Sequence, residues 1–206
     1  MNKKNIILIN SILAILIVII VGTFVFNKSV KNKDENKKEK VHKTKYMHAS
    51  YGFNVNNLNN IVADADYVFV AKVNRKLNTV YKYSTKVEDE WISSPYTYYS
   101  LKVLKNIKGD LFTNKNIRVL KSGGKGKNSQ VNYVYENDTL PLSGQTYIFA
   151  AYVQQDGSLL VSGANSTIKV ASYYTKSSCF SKMSTAAKKG GNRRRTRFKI
   201  NTNKVY

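Results

Sequence analysis

The stretch from residue 146 to residue 161, TYIFAAYVQQDGSLLV, decides how this chain is read. Thr146 to Gln154 and Ser158 to Val161 are runs dominated by apolar and aromatic residues. Gln155-Asp156-Gly157 lies between them, and an Asp-Gly pair accepts the positive φ that a tight hairpin turn requires. One such hairpin needs further strands to bury its apolar faces. Toward the N-terminus, Tyr67 to Val73 (YVFVAKV), Tyr96 to Ile107 (YTYYSLKVLKNI), Asn116 to Lys121 (NIRVLK) and Val131 to Tyr135 (VNYVY) have the same strand-forming composition, and Thr167 to Ser172 (TIKVAS) follows the hairpin. Lys108-Gly109-Asp110 and Glu136-Asn137-Asp138 supply turns. Between Asn56 and Ala65, Leu58, Ile61, Val62 and Ala65 recur at helical spacing, which predicts a short amphipathic helix. Six or seven short strands separated by turns predict an all-β domain over residues 51–172, an OB-like barrel or small sandwich with one short helix.

Outside that core the composition changes sharply. Ile6 to Phe26 is a 21-residue run without charge, and as a helix it would rise about 31 Å, close to the hydrocarbon thickness of a bilayer. Residues 1–5, with Lys3 and Lys4, form the n-region of an export signal. No small-residue cleavage site follows the run and no cysteine follows it for lipid attachment. Residues 6–26 are therefore read as a single transmembrane signal anchor, with a secreted form after cleavage as the alternative. Counting only the flanking lysines would place the rest of the chain inside, but long C-terminal domains translocate largely regardless of charge. The expected location is the cell membrane, single-pass, with the C-terminal domain extracytoplasmic.

Residues 27–50 are Lys-rich and nearly free of apolar side chains, so they read as a stalk. Residues 173–206 turn from Ser/Lys-rich to Gly190-Gly191-Asn192 and then Arg193-Arg194-Arg195-Thr196-Arg197, and read as a basic, disordered tail. The formal net charge is +22, from 34 basic and 12 acidic side chains. Residues 28–45 hold eight Lys and residues 188–204 hold eight Lys or Arg, whereas 46–175 hold 14 basic residues against nine acids. Two cationic arms thus flank an ordinary surface. Such arms attract polyanions: lipid headgroups or anionic envelope polymers, and nucleic acid only if the domain met any, which export disfavours. The single cysteine, Cys179, excludes an intrachain disulfide. Together with the Lys/Asn/Ile/Tyr-rich usage this points to an exported bacterial protein, with an envelope of the Gram-positive type.

The pattern Ala63-Asp64-Ala65-Asp66 followed by Tyr67 to Val73, then Leu101 to Asp110 (LKVLKNIKGD), then Leu142 to Ala150 (LSGQTYIFA), resembles the bacterial members of the tissue-inhibitor-of-metalloproteinase-like group. These are netrin-module-type domains on a five-stranded OB barrel. The resemblance spans roughly residues 55–170 and implies a fold and a binding role, with regulation or inhibition of an extracytoplasmic protease as one form of it. The animal inhibitors chelate zinc through a processed N-terminal cysteine. Here that end continues into the stalk, and Cys179 lies outside the matching region.

Candidate chemistry is sparse. The only histidines, His42 and His48, lie in the stalk, so the β-domain has no imidazole for base work or zinc ligation. Glu88-Asp89-Glu90 lacks the spacing of a calcium loop. Ser122-Gly123-Gly124-Lys125-Gly126-Lys127 is not a nucleotide P-loop, although its backbone N–H groups with Lys125 and Lys127 could face an anion. The tail arginines Arg193, Arg194, Arg195 and Arg197 are the other anion-binding candidates. Tyrosines on predicted strands, among them Tyr96 and Tyr98, could stack on bases or sugars but fit a half-buried sheet as well. No catalytic residue, metal site or cofactor is expected, and the chain is read as a non-enzymatic binding protein, with a protein or an anionic polymer as partner.

Overall fold

The structure, a computed structural model, describes residues 43–87, 90–127 and 130–206. The n-region, the apolar run 6–26 and most of the Lys-rich segment lie outside these residues. Among the described residues no helix is long and apolar enough to cross a membrane.

The fold is mostly β, in two sheets. In the larger one, β2 (Tyr67–Val87) pairs antiparallel with β3 (Glu90–Lys108), and β3 pairs antiparallel with β4 (Asn116–Ser122). β4 runs parallel to β8 (Leu159–Val161), β8 is antiparallel to β7 (Thr146–Val153), and β7 pairs back onto β2. These five strands close a ring. β9 (Thr167–Val170) pairs with the first half of β7, on the edge that β8 shares. The smaller sheet is β1 (Thr44–Met47), parallel to β6 (Asn132–Tyr135), with β5 (Gly124–Lys125) on the other side of β6.

Alternation of side chains along a strand explains why the decisive stretch reads as continuously apolar: both faces of β7 are covered. Tyr147, Phe149, Ala151 and Val153 point into the ring interior, with Phe69, Ala71, Val73, Tyr99, Leu101, Val103, Ile117 and Val119. Ile148 and Ala150 point outward into a second core with Val68 and Val70 of β2. That outer core is roofed by α1 (Leu58–Asp64), capped by Asn57 and burying Ile61 and Val62, and by α2 (Ser178–Lys189), burying Met183 and Ala186. α1 is the helix the sequence predicts within 56–65.

Three expectations need correction. First, the segment from Tyr173 is ordered. A 3₁₀ turn (Tyr174–Lys176) leads to Ser177, whose hydroxyl caps α2 by accepting from Phe180 N, and Gly190 closes that helix at φ 68°. Cys179, Phe180, Met183, Ala186 and Ala187 form a helical stripe against the outer core. Farther on, α3 (Thr202–Val205) sets Val205, at 0% exposure, into the ring-interior core beside Leu111. Second, the stalk does not extend to residue 50, because Thr44 to Met47 pair with Asn132 to Tyr135 as a strand. Third, β2 and β3 run far past the predicted 67–73 and 96–107. Between Asn74 and Lys82 no side chain is fully buried, so the two-residue apolar alternation that marks a half-buried strand is absent there. Register shifts at Val73/Arg75, Lys76/Thr79 and Lys82/Thr85 bend this arm.

Candidate binding face

The outward faces of β2, β3 and β4 carry aligned rows of side chains. Lys72 lies opposite Lys102, which lies opposite Asn116; Arg75 lies opposite Ser100, which lies opposite Arg118. Lys72, Arg75, Lys102 and Arg118 are exposed, and none is ion-paired with a carboxylate of the described residues. Between residues 67 and 122 the only acids are Glu88, Asp89, Glu90 and Asp110. Like charges directly across a strand pair are destabilising, so the Lys72–Lys102 pair costs stability unless an anion relieves it.

The polar partners hold this surface in register. Asn74 Nδ2 donates to Asn116 Oδ1 at 2.9 Å and to Ser100 Oγ at 3.4 Å. The Arg118 guanidinium lies 3.9 Å from the centre of the Tyr98 ring, a cation–π contact on an exposed side chain. Tyr96 and Tyr98 follow Ser100 on the same face at two-residue spacing. Tyr83 packs edge-on to Tyr96 at 5.9 Å and Lys82 lies 5.7 Å from the same ring. Burial, with Tyr135 and Tyr83 nearby, pushes the Tyr96 hydroxyl up to about 12, so it stays a neutral donor at physiological pH. The face offers fixed cations, amide and hydroxyl groups and flat rings. Groups of this kind can hold and orient an anion.

The residues singled out from sequence do not form one site. Lys125 sits in β5 opposite Asn132, half-buried, with its carbonyl accepting from the Tyr81 hydroxyl at 3.2 Å. Lys127 follows it and is exposed. Three of the four tail arginines are engaged by the protein itself, which corrects their reading as anion binders. Arg195 Nη2 and Arg197 Nη1 lie 2.6 and 2.5 Å from the two carboxylate oxygens of Asp66, which also accepts from Val153 N at 2.8 Å. Arg193 Nε lies 3.7 Å from Asp64, and its guanidinium stands 4.7 Å from the centre of the Phe53 ring. Arg197 donates to Ala63 O and Ala65 O, and Arg195 to Asp64 O. Lys108 Nζ donates to Val62 O at 2.7 Å and Ala65 O at 2.6 Å. These cations satisfy the carbonyls that the last turn of α1 leaves without partners. Burial, with Arg197 adding repulsion, pulls Lys108 down to about 8. Arg194 alone of the four is exposed.

A cavity of about 240 Å³ opens nearby, lined by Tyr51, Phe53, Asp64, Tyr135 and Tyr152 among others. The cations beside its rings are the chain's own: Arg195 lies 5.1 Å from the centre of Tyr152, as Arg193 does near Phe53. His48, fully on the surface, is 2.9 Å from Glu136. No group of three metal-ligating side chains occurs among the described residues.

The cations of the β2–β3–β4 face were within reach of the sequence. Lys102 alternates with Leu101 and Val103 in a predicted strand, which assigns it to the outer face. Its alignment with Lys72 and Asn116 depends on register, which no single strand specifies. The chain matches no protein-family model, and no curated protein matches it significantly.

Proposed function

We propose that this chain is a membrane-anchored, extracytoplasmic binding protein, not an enzyme, whose domain holds an anionic polymer of the cell envelope on its β2–β3–β4 face. The single observation that carries this is the group of exposed cations Lys72, Lys102, Arg75 and Arg118 beside Tyr98, with Lys72 directly opposite Lys102 and none of the four ion-paired among the described residues. We read the ring as an OB-like barrel, supported by the strand order β2-β3-β4-β8-β7 with its one parallel pair, β4 with β8. In such barrels the face formed by the second and third strands takes up extended oligomers. Here those strands are β3 and β4. The anchor reading of residues 6–26 puts the face outside the membrane, where phosphate-bearing wall polymers and lipid headgroups are the available polyanions.

The test is retention of the full-length protein, in detergent micelles, on immobilised wall polymer bearing glycerol-phosphate repeats. A basic side chain at an anionic surface contributes about 1 kcal/mol. Changing Lys72, Lys102 and Arg118 together to Gln should therefore weaken binding roughly a hundredfold and flatten its salt dependence. Equal retention of the triple variant would refute the polymer reading. Crosslinking in whole cells to one protease would instead favour the regulatory role that the family resemblance implies.

A further inference from the structure

Lys121 is on β4 with the same parity as Ile117 and Val119, so its side chain enters the ring interior, where its cross-strand neighbours are Thr97 and Val161. There its ammonium meets the carboxylate of Asp138, from the turn after β6. Both side chains have 0% solvent exposure. The Ser166 hydroxyl sits between them, 3.5 Å from Lys121 Nζ and 3.2 Å from Asp138 Oδ2, to which it donates. No other ionic contact is made by either group among the described residues. Every other ion pair among the described residues leaves at least one partner in contact with water.

A fully enclosed pair of charges is costly, because each ion forgoes its hydration. Burial pulls Lys121 down and pushes Asp138 up, against the attraction between them. Passing the proton from amine to carboxylate removes both charges and leaves a free amine touching a carboxylic acid. An amine in contact with one carboxyl oxygen is within near-attack reach of the carboxyl carbon, and confinement supplies the orientation that a solution reaction lacks. The reverse reaction, hydrolysis, needs water that the interior excludes.

We propose that Lys121 and Asp138 condense into an intramolecular isopeptide bond. Nζ adds to the Asp138 Cγ; the Cγ–Oδ2 bond then breaks, and Oδ2 leaves as water with one proton from the acid and one from the amine. The Ser166 hydroxyl is placed to relay that second proton. Nothing is oxidised or reduced, and no co-reactant is consumed. The product is a neutral amide joining β4 to the turn before β7, a covalent brace in a chain whose one cysteine cannot make an internal disulfide.

The experiment is peptide mass mapping of the purified full-length chain, denatured and digested with trypsin. If the bond forms, cleavage after Lys121 fails. Residues 119–125 then appear joined to residues 128–169 in one branched species, lighter than the sum of the two peptides by one water. Lys121→Met and Asp138→Ala should abolish that species, whether or not the variants fold. Wild-type chain cleaved normally after Lys121, with the 128–169 peptide at its unmodified mass, would overturn the proposal.

Discussion

Asp66 gathers more interactions than its position after a short helix suggests. Its carboxylate holds Arg195, Arg197 and the Val153 N–H, and the two guanidiniums keep only about a quarter of their side-chain surface exposed. Burial alone would raise the carboxyl, but these three donors outweigh it and hold it below the usual carboxylate range. The folded state therefore prefers the ionised form. Its contribution is complete above the ordinary carboxylate pKa and is lost as pH falls through the depressed value. Asp66→Asn should destabilise the domain by about 2 kcal/mol at neutral pH, less than for a fully enclosed pair because the arginines keep some water. Urea unfolding at pH 7 and at pH 3 checks both parts: the variant's deficit should shrink on acidification. Gly157 makes a second local prediction. It sits at φ 80°, and an added Cβ would meet Asn201 N at 2.6 Å. Gly157→Ala should lower the melting temperature by several degrees, since about 1 kcal/mol moves a domain of this size by roughly 2–4 °C and both strain and clash contribute.

Among the elements, α2 decides whether the outer core exists. Met183 is fully buried under it, and truncation to Ala should cost about 3 kcal/mol, as for other buried long side chains. Stopping the chain after Lys176 would uncover Ile61, Val68, Val70, Ile148 and Ala150 together. Such a product should bind a hydrophobic dye and lose its near-ultraviolet dichroism. The strands were largely legible in the sequence because their burial is regular: β4, β6, β7, β8 and β9 begin and end within a residue or two of the predicted runs. α2 carried readable signals as well, a Ser177 cap, a 3.6-residue stripe and the Gly190 stop, but the density of Lys, Ser and Gly around them favours disorder on composition alone. The arginine motif misleads for a related reason. A run of cations looks like a ligand site unless the carboxylates awaiting it, Asp64 and Asp66, are known to lie across from it, and that contact spans more than a hundred residues of sequence. The cationic face was half legible, since strand parity assigns its residues to the surface while only register assembles them.

At the scale of the whole molecule, charge is divided between internal and external use. Arg193, Arg195, Arg197 and Lys108 serve the fold, so substituting them should lower stability without altering the salt dependence of the proposed polymer binding. Lys72, Arg75, Lys102 and Arg118 serve the surface, so neutralising them should do the reverse and leave stability unchanged or improved, because the Lys72–Lys102 repulsion disappears. Parallel measurement of unfolding midpoint and retention against ionic strength separates the two sets. A variant that moved both readouts equally would show that the division is false.

The segment that seals the strand ring, Ile200 to Val205, is separated by about 130 residues from β2, where the ring begins. No partial polypeptide lacking it can finish the interior. Completion of the interior therefore waits on the docking of Ile200 and Val205, so the ring and its closing segment stand or fall together.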